Sequence, residues 1–150
     1  MYQTIVVPLD GSKRAEAILP YVEELAQRFQ SRVVFLRIVS PTFTLQGPEG
    51  LFTEGMIEEI RREVEAACLY LAGVQGEFRE KGIEAGACVE RDGSVVKAIL
   101  NVAERESADL IAMASHGRTG LARVYYGSVA AGVLSQADRP LLLVRAMHEA

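Results

Sequence analysis

The chain has 150 residues, 49% hydrophobic and 24% charged, with a net charge of −4. That length predicts one domain over residues 1–150 with a sizeable core, and the acidic balance excludes a generic nucleic-acid or anionic-membrane surface. No apolar run approaches the ~20 residues needed to cross a bilayer, and Met1-Tyr2-Gln3-Thr4 carries no basic leader, so a cytoplasmic location is expected.

Ile5-Val6-Val7-Pro8-Leu9 reads as a short strand ended by Asp10-Gly11-Ser12. Ala15, Ile18, Leu19, Val22, Leu25, Ala26 and Phe29 then recur at helical spacing, which predicts a helix capped by Ser12 or Asp10. Pro20 falls inside that pattern and predicts a bend near Glu16. Val33 to Val39 is the second strand. Pro41 to Gly55 has no sustained period; a loop this long is either functional or disordered.

Ile57, Ile60, Val64, Ala67, Cys68, Leu71, Val74 and Phe78 mark one face of a long helix, weakened toward its end by Gly73 and Gly76. Ile83 to Glu90 is a third strand, and Asp92-Gly93-Ser94 starts a third helix. Asp109 to Met113 is a fourth strand, fully apolar from Leu110 to Met113; a glycine-bearing loop, a helix from about Ser128 to Gln136 and a last strand, Pro140 to Val144, follow. Strand and helix alternate throughout, which predicts an α/β fold with a parallel sheet covered on both faces.

Open sheets of this kind bind ligands beyond the carboxyl ends of their strands, where strand order reverses. If the first and fourth strands are neighbours there, Pro8-Leu9-Asp10-Gly11 meets Ala114-Ser115-His116-Gly117. The second segment leads through a loop to a helix start at Gly127-Ser128. Loop amides and the positive end of a helix dipole together favour a phosphate. Gly117 and Gly127 allow close approach and a positive φ. Asp10 reads either as a helix cap or as an acceptor for a ribose hydroxyl or a phosphate-bound Mg2+. Lys13, Arg118 and Arg123 lie near enough in sequence to offer a phosphate partner.

Other chemistries lack their motifs. There is no G-x-x-x-x-G-K-[ST], no G-x-G-x-x-G after the first strand, no G-x-S-x-G and no H-E-x-x-H. The two histidines, His116 and His148, are too few for a multi-histidine metal site, and Cys68 and Cys88 read as reduced, partly buried thiols. No catalytic residue is assigned; at most a slow hydrolysis of a bound nucleotide is compatible with the chain.

At three places the sequence resembles the universal stress protein family: Ile5 to Ser12, Ala108 to Leu121, and Gly127-Ser128-Val129 followed by Arg139 to Val144. Its nucleotide-binding members carry a glycine, two residues, a second glycine, nine residues, then Gly-Ser or Gly-Thr. Here the second glycine matches Gly117, the nine-residue spacer is Arg118 to Tyr126, and the end is Gly127-Ser128. The first glycine is replaced by Ala114, which is tolerated if φ is negative there.

The resemblance implies a Rossmann-like open five-stranded parallel sheet of order 3-2-1-4-5 with helices on both faces. It implies ATP as ligand, with Mg2+ held through the phosphates. Pro8, Leu9 and Asp10 would lie beside the adenosine, Ile38 and Met113 would line the adenine, and Ala114, His116, Gly117, Gly127, Ser128 and Val129 would surround the phosphates. It also implies a homodimer paired through Leu141 to Val144, a strand that would otherwise be a bare apolar edge. The alternative is a nucleotide-independent interaction protein of the same fold, motivated by Ala114.

Overall fold

The computed structural model describes residues 1–40, 54–116 and 127–146. Strands are β1 (Thr4–Pro8), β2 (Arg32–Val39), β3 (Glu84–Arg91), β4 (Leu110–His116) and β5 (Leu141–Ala146). Helices are α1 (Leu19–Phe29), α2 (Glu54–Glu80), α3 (Val95–Arg105) and α4 (Ser128–Gln136). All strand pairs are parallel, in the order β3-β2-β1-β4-β5, as expected. The loop expected at Pro41 to Gly55 lies outside the described residues up to position 53, and α2 begins at Glu54.

The sheet is apolar on both faces, and the period of two along each strand sorts the core. Ile5, Val7, Val33, Phe35, Leu110 and Ala112 pack toward α1 and α2, through Val22, Leu71 and Phe78. Val6, Val34, Leu36, Ile38, Ile111 and Met113 pack toward α3 and α4, through Ile99, Val102 and Val133. Phe35 meets Phe78 edge to face at 4.9 Å between ring centroids, a favoured aromatic geometry. The long helix departs in part from the expected face: Ile60, Ala67, Leu71, Val74 and Phe78 are buried, whereas Ile57 and Cys68 are exposed. Both cysteines are free. The Cys88 thiol is pushed up to about 11, first by burial and then by the Glu90 carboxylate, against the pull of Arg105.

Pro20 does not bend a continuous helix. Residues Ala15–Ile18 form a 3-10 turn, and Pro20 sits in the first turn of α1. A proline there loses no hydrogen bond, because first-turn N–H groups have no intrahelical partner.

Two contacts fix the centre. Asp109 accepts hydrogen bonds from the backbone N–H groups of Gln3 (2.9 Å) and Thr4 (3.0 Å), which seats β1 beside β4 in the register Ile5↔Leu110. Partial burial works against the Asp109 carboxylate, but the N–H groups of Gln3 and Thr4 outweigh it and hold its pKa below the usual carboxylate value. On the other face, α4 approaches α3 at Gly132, where an added Cβ would stand 2.6 Å from Val96 Cγ2. Valine is stiff at χ1 and yields little.

Two outcomes follow. Gly132→Ala is expected to destabilise by about 1 kcal/mol net, overpacking outweighing the better helix propensity of alanine. The Val96→Ala/Gly132→Ala pair should recover most of that loss in urea denaturation, giving a non-additive cycle. A folded-state pKa below the unfolded value means Asp109 stabilises above pH ~4 and loses that contribution as pH falls through its folded pKa. Asp109→Asn should therefore cost about 1–2 kcal/mol at pH 7, and its gap from the wild type should narrow steadily as pH falls below ~4, read from urea midpoints over a descending pH series.

Candidate functional site

β1 ends at Pro8 while β2 runs on to Val39. Strand order reverses beside β1, so the chain leaves β1 and β4 in opposite directions and a crevice opens over their carboxyl ends. The crevice has a volume of about 220 Å3. Of the residues expected to form the site, it brings together Pro8, Leu9, Asp10, Ile38, Met113, Ala114, Gly127, Ser128 and Val129. His116 is the last residue of β4. Gly117, Arg118 and Arg123 lie outside the described residues, and Lys13 is exposed.

The walls differ in chemistry. Ile38 and Met113 share the face that carries α3 and α4. Val95 and Ile99 of α3 close the same side, giving an apolar slot between sheet and helix. At the end of β1, Ser12 donates its backbone N–H (2.9 Å) and its hydroxyl to Asp10 Oδ1. Ser12 Oγ in turn accepts from the N–H of Ala15 (3.2 Å). Ser12 therefore supports the following turn, and Asp10 is held by Ser12 rather than capping that turn by itself. One fixed carboxylate oxygen sets the orientation of the Asp10 side chain at the crevice.

At the far end, α4 starts with Ser128 exposed and Gly127 as its N-cap. No side-chain cap engages that helix start among the described residues, so its first amides and the positive end of its dipole face the crevice mouth. One expectation is corrected here. Gly127 has φ −48°, so it does not use the positive φ open to glycine. Ser128 is the first helical residue, as expected, and Gly127 is the cap. Ala114 lies inside β4 and is absent from the positive-φ residues. Its extended backbone accepts a methyl group without strain, and that methyl packs against the core on the α1 and α2 side.

Sequence reasoning missed Arg37, Ala15, Val95, Ile99 and Ala130, which also line the crevice. Arg37 is half-buried, and its Nη1 donates to the carbonyl of Ile38 at 2.9 Å. Tyr70, from α2, stands in the same neighbourhood. Its hydroxyl is buried with no partner in hydrogen-bonding geometry among the described residues. Burial, and then the negative charges of Glu16 and Asp10, hold the Tyr70 pKa above its ordinary value, opposed by the positive charge of Arg37. Arg37 could have been noticed as the one charge within the apolar run Val33 to Val39. Among the described residues no cluster of three or more His, Cys, Asp or Glu could hold a metal ion.

An apolar slot, an oriented carboxylate and an open helix start, lying in sequence along one crevice, suit a ligand with a flat base, a hydroxylated sugar and an anionic tail. The class is that of open α/β sheets with a binding crevice at the strand-order reversal. A family model described as the universal stress protein family matches residues 1–145, and the chain belongs to that family. Universal stress protein YxiE of Bacillus subtilis is 31% identical over 150 aligned residues, which cover 97% of this chain and 100% of that protein. The solved structure of protein MJ0577, whose source is Methanocaldococcus jannaschii, matches with a TM-score of 0.83 at 26% identity over 99% of both chains. A universal stress protein from Archaeoglobus fulgidus, solved in complex with dAMP, matches with a TM-score of 0.64 at 22% identity, covering 95% of this chain and 98% of that one.

Proposed function

We propose that this chain, as one domain over residues 1–150, binds ATP in the crevice and acts as a homodimeric stress-response module in the cytoplasm. Mg2+ would be carried on the phosphates. The observation that carries the reading is the meeting of Asp10 with Gly127-Ser128 across one cleft lined by Ile38 and Met113. The dAMP complex of the Archaeoglobus fulgidus relative supports a nucleotide of the adenine class. A volume of about 220 Å3 is below the ~300–1,000 Å3 of drug-sized pockets. It suits a base and sugar, with the phosphates at the open end over α4. The extended backbone of Ala114 carries its methyl without strain, which supports the nucleotide reading over a nucleotide-independent one. Among the described residues no helix is long and apolar enough to cross a membrane.

In this reading Pro8, Leu9 and Asp10 contact the nucleoside, with Asp10 accepting from a ribose hydroxyl. His116, Gly117, Gly127, Ser128 and Val129 serve the phosphates. Asp10→Asn keeps an oxygen for Ser12 but removes the charge. It should weaken ATP binding roughly five- to tenfold, the loss of a charge-assisted hydrogen bond, in isothermal titration with Mg2+. Wild-type protein giving no heat with ATP would end the proposal.

The dimer would form through β5. Ile111 N–H donates to the Pro140 carbonyl, and strand alternation then turns Leu142 and Val144 toward β4 and Leu141 and Leu143 outward. Leu143→Pro thus removes an outward donor while leaving the β4 ladder whole. Light scattering should report a monomer for this variant and a dimer for the wild type; a variant still dimeric would place the interface elsewhere.

A further inference from the structure

The base end of the crevice carries a cation that no part of the reading above uses. Leu9 N–H donates to the carbonyl of Leu36 at 2.8 Å, so Leu36 faces β1. Backbone direction alternates along a strand. Two residues on, the N–H and C=O of Ile38 point the same way, but β1 has ended, and they open into the crevice. A bare pair of this kind offers one donor and one acceptor. It would match the edge of a 6-aminopurine, which presents a ring nitrogen acceptor beside an amino donor.

Arg37 changes that edge. Its Nη1 is already on the Ile38 carbonyl, so it occupies one of that acceptor's two lone pairs and brings further N–H donors to the same edge. Arg37 belongs to no salt bridge among the described residues, although it lines the crevice half-buried. A guanidinium has five N–H donors and no acceptor. The edge offered to a base is therefore weighted toward donors. A 6-oxopurine, with O6 and N7 both acceptors, matches such a fork, whereas the 6-amino group of adenine opposes it.

We propose that Arg37 is the base-discriminating residue of this site and that it admits 6-oxopurine nucleotides, of the guanine and hypoxanthine type, beside ATP. This rests on the nucleotide reading of the crevice. Because O6 and N7 are shared by guanine and hypoxanthine, the 2-amino group contributes little, and the two bases bind alike.

The test is titration of the full chain with ATP, GTP and ITP, each with Mg2+. The wild type should bind GTP and ITP within tenfold of ATP. Arg37→Met keeps the length and frees the Ile38 carbonyl, so ATP binding should tighten about threefold while GTP and ITP weaken at least tenfold. Arg37→Lys retains the charge without the fork and should also lose GTP and ITP relative to ATP, which guards against a methionine variant that folds poorly. ATP binding with GTP and ITP more than tenfold weaker in the wild type would overturn the role of Arg37 and leave the ATP reading standing. An unchanged GTP-to-ATP ratio in both variants would do the same. No binding of any of the three would overturn the nucleotide reading, and this inference with it.

Discussion

Asp109 holds the centre of the sheet, because its carboxylate receives the amides of Gln3 and Thr4 at the point where the first strand enters it. Without that seat, β1 would be held against β4 by the short register Ile5↔Leu110 and Val6↔Ile111 and the backbone bond from Asp109 N–H to the Thr4 carbonyl. Every crevice residue of β1 is placed by this pairing, since Pro8, Leu9 and Asp10 reach the carboxyl end of the sheet only if the strand starts level with Asp109. The crevice is thus a by-product of topology. A central strand, shorter than the β2 beside it, ends early, and both neighbouring crossovers leave it uncovered.

The two faces of the sheet then divide the labour. The face toward α3 and α4 is apolar up to the rim, where Ile38, Met113, Val95 and Ile99 enclose a slot. The other face becomes polar at the same rim, with Glu16, Asp10 and Arg37 within electrostatic reach of Tyr70. A desolvated hydroxyl among two carboxylates and a guanidinium is an unusual composition for a core margin, where buried polar groups are normally satisfied. It sits where the fold meets its ligand, and stability and function commonly diverge at such places.

The fold was legible because the central strands are largely apolar on both sides and each helix is periodic, two signals that survive without a partner sequence. The strand order was accessible through the family resemblance; chain order by itself leaves several arrangements open. Local chemistry was harder to read. Pro20 looked like a bend because apolar spacing ran through it from Ala15, whereas a 3-10 turn accommodates the same spacing for one turn. Gly127 suggested a left-handed residue, but a glycine before a helix also serves as an N-cap with ordinary φ. Arg37 shows in its own segment only as a lone charge in an apolar run; its place at the crevice depends on where β1 stops, a property of the neighbouring strand. Ile57 and Cys68 fit the helical period of α2 yet are exposed, since period reports a face and not whether anything covers it.

Arg37 and Ile38 are consecutive, so the pleat sends one to each side of the sheet. Sliding β2 by a single position would exchange a guanidinium for a branched hydrocarbon at both walls simultaneously, leaving a charge against α3 and a greasy stub against Asp10. Insertions or deletions of one residue in this strand are therefore barred twice over, by the core they would scramble and by the ligand edge they would invert. Changes that preserve strand parity, such as shortening its entrance by two residues, are the only length variation the architecture leaves open.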